Sequence, residues 1–439
     1  MQNKVTPRIL PGFMELLPAD QILFNDMYDT IREVYESFGF LPLDTPVIEL
    51  SEVLLAKAGG ETEKQIYRFQ KGDNDLSMRF DLTVPLARYV SAHYNDLVFP
   101  FKRYQMSKVF RGERPQKGRF REFYQCDIDI IGGEELDILY DAEMPAVIYH
   151  VFKKLGIGGF TVRINNRKVL GGFFSSLGLA DKIEDILRTI DKLEKIGKDK
   201  VVEELVKLGV DEADTQRIID FITITGNTAE MIASLRALGV ENETFRLGVD
   251  ELETVAGAMV TFGMPEENFR IDLTIARGLD YYTGTVYETV INDHPEFGSV
   301  CSGGRYDNLT GYYTDKKLPG IGISIGLTRL FSQLRDNGLI APKAGSIAKV
   351  LLIPMDKETV PYATATANAF RQNGIPADVY YGTKGMKQKM KYAARLGVPY
   401  VAIIGADEMA SGTLALKDMN GGAGQRTVTA EEAIAILKA

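Results

Sequence analysis

The feature that most constrains this chain is a strand–loop–strand pattern whose connecting loop is rich in arginine. The run EFYQCDIDII over residues 122–131 alternates in side-chain character, which predicts a strand. Phe110 ends the preceding strand-like run, so the two strands are expected to pair antiparallel. Residues 102–122 hold eight basic and two acidic side chains, a local charge of +6 in a chain of net charge −9. The pattern predicts a hairpin with a strongly basic end.

A basic loop at the ends of two strands indicates an anionic ligand. Guanidinium groups match phosphate oxygens two at a time, and this loop carries Arg111 and Arg119 among its basic residues. Neither a GxxxxGK[ST] loop nor a strand-linked GxGxxG occurs, which disfavours a P-loop or a dinucleotide-binding fold. Spacing alone leaves two alternatives open, a nucleotide site and a solvated basic surface.

Hydrophobic periodicity divides the rest of the chain. Apolar residues at helical spacing predict an amphipathic helix over residues 19–38 and a series of helices between 167 and 262. Residues 348–439 alternate strands with helices, which is typical of a small α/β domain. The predicted organisation begins with a strand-rich first part (1–166), a helical insertion (167–262) and a strand-rich second part (263–336). A linker (337–347) and an α/β domain (348–439) follow.

Composition excludes several classes of protein. Apolar residues make up 45% and charged residues 25% of 439 residues, which is unlike disordered, collagen-like or coiled-coil sequences. The longest apolar runs are too short to span a bilayer, and the first residues lack the apolar stretch of a secretory signal. Two cysteines cannot form a disulfide framework, so a cytoplasmic location is expected. Three isolated histidines make histidine-based metal or triad chemistry a poor explanation.

A second basic cluster lies near the C-terminus. Its members are Lys384, Lys387, Lys389, Lys391 and Arg395, and all of them except Lys389 fall at spacings of three, four and four residues. That spacing predicts one basic stripe along a helix. Contact with phosphates of a nucleic acid and a merely solvated helix face are both compatible with the stripe.

Five motifs together resemble those of the histidyl-tRNA synthetases, a family of class II aminoacyl-tRNA synthetases. Residues 110–132, FRGERPQKGRFREFYQCDIDIIG, look like the family's motif 2, and RGLDYYTG at 277–284 looks like its histidine-specific signature. SGGRYD at 302–307 matches a second signature, and GIGISIGLTR at 320–329 resembles motif 3. The helix ending at Gly39 and the strand that follows resemble motif 1, the dimer-forming element.

The resemblance implies an α+β fold, in which a class II catalytic domain is built on an antiparallel sheet. It also implies that the helices of 167–262 are an insertion and that 348–439 bind the anticodon. The implied reaction activates L-histidine with ATP to histidyl-adenylate and pyrophosphate, and then transfers histidine to the 3′ end of tRNA(His). Mg²⁺ would accompany ATP, although the sequence names no ligands for it. A cytoplasmic homodimer without membrane contact is expected.

Roles for individual residues follow from the same resemblance. Arg111 and Arg277 would act on the α-phosphate and Arg329 on the triphosphate, which makes these three the catalytic arginines. The implied ATP-binding residues are Arg111, Glu113, Arg119 and Arg329. The implied histidine-binding residues are Asp81, Leu82, Thr83, Arg111, Gln125, Asp129, Arg277, Tyr281, Tyr282 and Tyr306. The implied tRNA contacts are Lys384, Lys387, Lys391 and Arg395.

Elementary chemistry agrees with the implied histidine pocket. Gln125 and Asp129 lie four residues apart in an alternating strand, so both point to one face. A carboxylate at one imidazole nitrogen and a tyrosine hydroxyl at the other recognise both nitrogens at once. Asp81 and Asp129 stand where the common bacterial members of the family carry glutamate, so the depth of the pocket is expected to differ. A carboxylate is present at both positions.

Other functions remain to be weighed against this one. The regulatory subunit of ATP phosphoribosyltransferase resembles a synthetase and binds histidine without aminoacylating, but it usually lacks the C-terminal domain and the ATP-binding arginines. A nucleic-acid or stress-sensing module that keeps the fold as a dimer platform is a second rival. Without the family motifs, Asp81, Asp129 and the tyrosines would be read as ordinary structural residues.

Overall fold

The computed structural model describes residues 4–56, 61–116, 118–275, 281–342, 345–422 and 424–438. The chain divides into two compact units, which are formed by residues 1–14 with 28–339 and by residues 15–27 with 340–439. No helix within these described ranges is long and apolar enough to cross a membrane.

The strands up to residue 325 form two sheets. They are β1 (Leu41–Pro42), β2 (Ile48–Leu50), β3 (Arg68–Lys71), β4 (Asn74–Met78), β5 (Phe101–Phe110), β6 (Glu122–Ile131), β7 (Phe160–Asn166), β8 (Phe269–Ile271), β9 (Thr285–Ile291), β10 (Cys301–Tyr306) and β11 (Gly320–Ile325). The eight-stranded sheet has the order β1-β5-β6-β11-β10-β9-β7-β8, and β2-β4-β3 form a small second sheet. The six central strands of the large sheet pair antiparallel, while β1 and β8 join its edges in parallel.

The helices up to residue 336 flank and interrupt these strands. They are α1 (Pro18–Ser37), α2 (Ser51–Leu55), α3 (Glu61–Gln65), α4 (Thr83–Ala92), α5 (Leu139–Leu155), α6 (Arg167–Ser176), α7 (Ile183–Ile190), α8 (Leu193–Ile196), α9 (Lys198–Lys207), α10 (Glu212–Ile222), α11 (Thr228–Ala237), α12 (Glu243–Thr261) and α13 (Leu327–Asp336). Helix α1 confirms the predicted helix, and Gly39 follows it with φ of 78°.

The hairpin of β5 and β6 in the large sheet has the predicted form. Phe110 pairs with Glu122 at the end that carries the loop, and Phe101 pairs with Ile131 at the open end. On one face of β6 the apolar side chains Cys126, Ile128 and Ile130 are completely buried. Because side chains alternate along a strand, the polar residues of β6 share the opposite face.

Helices α6 to α12 follow one another between β7 and β8. Every backbone position from 167 to 261 is described, and none of them lies in a strand. The phenyl rings of Phe173 and Phe221 stack with their centroids 3.9 Å apart, which joins α6 to α10. Asn and Asp side chains cap α6, α10, α11 and α12 by accepting a backbone hydrogen bond.

The C-terminal unit is a sheet covered on both faces. Its elements are β12 (Val350–Pro354), α14 (Val360–Gln372), β13 (Ala377–Val379), α15 (Met386–Leu396), β14 (Tyr400–Ile404), α16 (Ala406–Ser411), β15 (Thr413–Asp418), β16 (Gln425–Thr429) and α17 (Ala430–Lys438). The predicted β-α-β-α-β order is confirmed, and two antiparallel strands extend it to β13-β12-β14-β15-β16. Alternate residues of β12 enter two apolar clusters, one with α14 and one with α15.

The predicted α+β fold class is therefore confirmed. An antiparallel sheet forms the centre of the large unit, and parallel β-α-β connections occur in the C-terminal unit. The predicted domain bounds stay predictions.

Candidate active site

A buried polar layer runs across one face of three neighbouring strands. Arg103 on β5 lies opposite Asp129 on β6, which in turn lies opposite Gly322 on β11. Gln125 and Asp127 precede Asp129 on the same face of β6, and all three side chains are at least nine-tenths buried. Charged groups are seldom buried on a sheet without a function or a partner, so this layer is the first candidate site.

Glycine at position 322 makes room for the Asp129 carboxylate. A Cβ at Gly322 would lie 2.1 Å from Oδ1 of Asp129, which is too short for any contact of a Cβ atom. Gly320 makes room for the neighbouring Tyr306 in the same way, since a Cβ there would lie 2.2 Å from its ring. The Tyr306 hydroxyl donates a hydrogen bond of 2.5 Å to Oδ1 of Asp129. The glycine-rich strand β11 thus holds the carboxylate and the phenol in one compact group.

Burial and charge act on Asp129 in opposite directions. Desolvation raises its pKa, while the Arg103 guanidinium and the Tyr306 hydrogen bond oppose that rise. Arg103 Nη2 lies 2.7 Å from Oδ2 of Asp129, and both side chains are almost fully buried. The carboxylate is therefore held from two sides in a water-poor setting.

The segment Asp81–Thr83 lies at the start of α4, where the resemblance places a histidine amino group. Asp81 is buried, and its Oδ1 accepts a hydrogen bond of 3.0 Å from the backbone N–H of Val84. Burial raises the pKa of Asp81, while the hydrogen bond from Val84 and the charge of Arg111 oppose the rise. Leu82 is completely buried, and Thr83 is buried beside it.

Arg111 follows β5 directly and is fixed between two aromatic rings. Its guanidinium carbon lies 4.3 Å from the centroid of Phe80 and 5.0 Å from that of Phe123. Its Nε donates a hydrogen bond of 3.2 Å to the carbonyl oxygen of Phe80. Burial lowers the pKa of Arg111, and the carboxylates of Asp81 and Glu113 oppose this shift. The rings fix the plane of the guanidinium and leave its Nη groups for an anion.

The loop after Arg111 lies close to α13, the helix that carries Arg329. Arg119 Nη1 lies 3.4 Å from a carboxylate oxygen of Glu113, and Arg119 is exposed. A Cβ at Gly118 would lie 3.8 Å from Cγ of Arg329, so this loop approaches the first turn of α13. Burial and the positive charge of Arg119 lower the pKa of Arg329, while Glu113 opposes them. Arg111, Glu113, Arg119 and Arg329 therefore form one electrostatic neighbourhood.

The backbone around Phe297 orients Arg329. Arg329 Nη2 donates a hydrogen bond of 2.5 Å to the carbonyl oxygen of Phe297, which also accepts one of 3.1 Å from Gln333. Arg329 Nε is buried without a hydrogen-bond partner among the described residues. A buried guanidinium that retains free donors is suited to an anionic ligand.

Three tyrosines form an aromatic wall beside the polar layer. The ring of Tyr281 packs edge-on against Tyr282 at 5.1 Å and against Tyr306 at 5.7 Å between centroids. Burial raises the pKa of all three hydroxyls, so they stay protonated and can donate. Arg277, the remaining predicted catalytic residue, lies outside the described residues.

Gln125 also joins this group. Its amide nitrogen donates a hydrogen bond of 2.8 Å to the Ser324 hydroxyl on β11. Its buried carbonyl oxygen has no hydrogen-bond partner in the described part of the chain. That oxygen is an available acceptor, as an ammonium ligand requires.

Sequence reasoning missed two members of the polar layer. It assigned no role to Arg103 or to Asp127, although both are buried there. A signal was present: Arg103 is seven residues before Phe110 and Asp129 seven after Glu122, so the hairpin register pairs them. It also left Arg305 without a role. Arg305 pairs with the buried Asp141 at 2.8 Å and thereby links β10 to α5.

The basic stripe of the C-terminal unit is exposed as predicted. Lys387, Lys391 and Arg395 are exposed on α15, and Lys384 precedes the first turn of this helix. Lys389 of the same helix is different, because it is 5% exposed and its Nζ donates to the carbonyl oxygen of Pro354. The basic cluster thus consists of the four exposed cations of the stripe and the buried Lys389.

Similarity to known proteins covers nearly the whole chain. Residues 12–330 match the family model described as histidyl-tRNA synthetase, and residues 349–439 match the model of the anticodon binding domain. A histidine–tRNA ligase from Clostridium tetani (strain Massachusetts / E88) is 59% identical over 99% of this chain and 98% of its own length. One from Xanthomonas axonopodis pv. citri (strain 306) is 49% identical, over 94% of this chain and 92% of its own.

A solved structure gives the same result. The crystal structure of histidyl-tRNA synthetase from Nostoc sp. PCC 7120 superposes with a TM-score of 0.92 at 44% identity, covering 99% of both chains. The fold is that of an aminoacyl-tRNA ligase. The chain belongs to the histidyl-tRNA synthetase family.

Proposed function

We propose that this chain is a histidine–tRNA ligase whose active site is the buried polar layer together with the arginines beside it. It activates L-histidine with ATP to histidyl-adenylate and pyrophosphate, and then transfers histidine to the 3′ end of tRNA(His). The observation that carries the proposal is the juxtaposition of a buried acceptor set on β6 with Arg111 fixed at the end of β5. Family membership over almost the entire chain supports the same reaction.

Histidine binds through its two ends. Its ammonium meets the acceptors Asp81, Thr83 and Gln125, of which Asp81 and the Gln125 carbonyl oxygen are buried. Its imidazole meets the Asp129 carboxylate and the Tyr282 hydroxyl, with Leu82, Tyr281 and Tyr306 lining the cavity. An apolar side chain would leave the buried Oδ2 of Asp129 without a hydrogen-bond donor from the ligand, and a site of this kind rejects analogues by roughly 10⁴-fold.

ATP binds through guanidinium groups. The histidine carboxylate attacks the α-phosphate in line, and pyrophosphate leaves. Negative charge on the α-phosphate oxygens and the carboxylate is balanced by Arg111, and charge on the triphosphate by Arg329 and Arg119. Glu113 contacts adenine, and Arg277 acts at the α-phosphate, both by resemblance to the family. These groups position and stabilise charge and transfer no proton.

Mg²⁺ accompanies ATP in this proposal. Within the described ranges, no group of three or more His, Cys, Asp or Glu side chains is arranged to hold a metal ion. Mg²⁺ commonly binds nucleotides mainly through phosphate oxygens. Glu288, whose carboxylate acts on Arg329, is the protein oxygen donor that would complete its shell. When bound, the ion neutralises charge on the phosphates.

The remaining parts of the proposal concern partners and location. The C-terminal unit contacts tRNA(His) through Lys384, Lys387, Lys391 and Arg395, which are exposed. A homodimer forms through the region of β1 to β3, where the exposed apolar side chains are Leu41, Val47, Ile48, Leu50 and Phe69. The two cysteines are free thiols, which suits a reducing cytoplasm.

A histidine-dependent ATP–pyrophosphate exchange assay tests the proposal. The purified chain with ATP and Mg²⁺ should exchange pyrophosphate only when histidine is present, and it should then charge tRNA(His). A histidine-binding regulatory subunit of ATP phosphoribosyltransferase is the second candidate, because it would share the pocket without the chemistry. Binding of histidine without any exchange would favour that candidate and would refute the ligase proposal.

A further inference from the structure

Arg103 is a buried cation for which the proposed reaction has no task. Its side chain is 0% exposed and is the largest completely buried side chain in the described part of the molecule. Its Nη2 donates a hydrogen bond of 3.1 Å to the carbonyl oxygen of Leu82 and lies 2.7 Å from Oδ2 of Asp129. It therefore contacts two residues of the proposed histidine pocket, Leu82 and Asp129.

The bonding of Arg103 differs from that of a purely structural arginine. Arg305, also buried, binds Asp141 through Nε and Nη2 and reaches Asp307 through Nη1. Arg103 instead leaves Nε and Nη1 without a hydrogen-bond partner among the described residues. A buried guanidinium is costly to desolvate, and leaving donors unpaired adds to that cost. Structural anchoring alone does not account for this arrangement.

The contact between Arg103 and Asp129 supplies charge and leaves an acceptor free. Oδ1 of Asp129 accepts from the Tyr306 hydroxyl. Oδ2 lies within ion-pair distance of Arg103, yet it is buried and accepts no well-aligned hydrogen bond from any described residue. An ionised oxygen that is held in place but not saturated is what a ligand N–H needs.

A second carboxylate shares the same cation. Asp127 lies two residues before Asp129 on the same face and is 3% exposed. Burial raises its pKa to about 7, the charge of Arg103 opposes this rise, and the charge of Asp129 adds to it. One guanidinium thus acts on two acidic side chains, so its removal would take a counter-charge from both.

We propose that Arg103 is a positioning residue for histidine specificity: it keeps Asp129 ionised and directed, with Oδ2 open to the N–H of the imidazole. Tyr306 fixes the other carboxylate oxygen, and Asp127 is the second acidic side chain on which Arg103 acts. The proposal rests on the proposed function, because it takes Asp129 as the imidazole-binding group.

The test is a double-mutant cycle measured by histidine-dependent pyrophosphate exchange with the full chain. The variants are Arg103→Met, Asp129→Asn, their combination, and Arg103→Lys. We expect Arg103→Met to raise KM for histidine by about 10- to 100-fold, the size of a lost charge-assisted interaction, with KM for ATP unchanged. If Arg103 acts through Asp129, the second substitution adds little to the first, and Arg103→Lys restores part of the loss.

A matched control separates specificity from the general cost of losing a buried arginine. Arg163 is a second buried arginine of the same sheet and pairs with Asp272 at 2.8 Å, on a strand next to the opposite edge. Arg163→Met should lower stability with KM for histidine unchanged. Should Arg103→Met fail to fold, the combined variant, which removes the pair as a whole, and Arg103→Lys carry the test.

Three outcomes would overturn the proposal. They are an unchanged KM for histidine in a folded Arg103 variant, fully additive effects of the two substitutions, and an equal rise in KM after Arg163→Met. The proposed function fails separately, because in that case the unaltered chain shows no histidine-dependent exchange at all.

Discussion

The two basic runs of this chain are both rich in Lys and Arg, but they differ in how their cations are packed. In the run 102–122, Arg103 is buried against a carboxylate and Arg111 is fixed between two rings. In the run 384–395, every cation except Lys389 is exposed to solvent. Buried charges act at short range through fixed geometry, whereas exposed charges are screened by salt and act collectively. A count of charges does not distinguish the two, and only the packing does.

The largest effect should come from removing the fixed cation of the first run. Arg111→Ala should lower the rate of histidyl-adenylate formation by about 10³-fold, since preorganised charge stabilisation in a site of this kind is typically worth that much. Pyrophosphate exchange at saturating histidine and ATP measures it. Lys102→Gln in the same run is the control, because Lys102 pairs with Glu143 instead, at 2.6 Å. Equal rates for Arg111→Ala and the control would contradict the buried-site interpretation.

The next effect concerns the pH dependence of stability. Asp127 has a pKa of about 7, because burial outweighs the charge of Arg103, whereas an unfolded chain releases that proton near pH 4. Between these values the folded state binds one more proton, so its stability falls as pH rises, by about 1.4 kcal/mol for each pH unit.

Chemical denaturation at several pH values measures this dependence. Relative to Asp127→Asn, the unaltered chain should lose up to about 4 kcal/mol of unfolding free energy from pH 4 to pH 7, and no more above pH 7. Parallel stability curves for the two proteins would show that Asp127 is not held protonated by burial. The exposed run offers a contrast, since its cations should contribute no comparable step.

A smaller effect is expected on the choice of amino acid. Asp129→Asn keeps the shape of the side chain but removes its charge, so it should weaken selection of histidine over other amino acids by about 10²-fold. Exchange driven by histidine and by phenylalanine gives the ratio of kcat/KM values directly. Retained discrimination would remove Asp129 from the imidazole site and would also undercut the role proposed for Arg103.

The smallest effect should come from the exposed run. Changing Lys384, Lys387, Lys391 and Arg395 together to Gln should weaken tRNA(His) binding by about 10-fold and flatten its salt dependence. Pyrophosphate exchange without tRNA should not change. Lys357→Gln, an exposed lysine of the same unit outside the stripe, is the control for a loss of charge. An unaltered salt slope in the stripe variant would mean that these cations are only solvated.

Local patterns were enough to predict much of the fold. Alternation predicted β6, the helical spacing predicted α1, and the β-α-β-α-β order of the C-terminal unit was confirmed. These features depend on interactions between near neighbours in the chain, so they can be predicted from the sequence. The strands β15 and β16 were not predicted, although they pair with each other across the short segment 419–424.

The sequence by itself determined which residues alternate, where the hairpin turns and which motifs accompany one another. It also supplied both partners of the Arg103–Asp129 pair at positions that an ideal hairpin register brings together. Only the tertiary structure decided which charges lose their water. The burial of these charges depends on the glycines of β11, since a Cβ at Gly322 would collide with Asp129. It also depends on the packing that leaves Arg103 completely buried. Desolvation is a property of the assembled surroundings, and no single segment carries it.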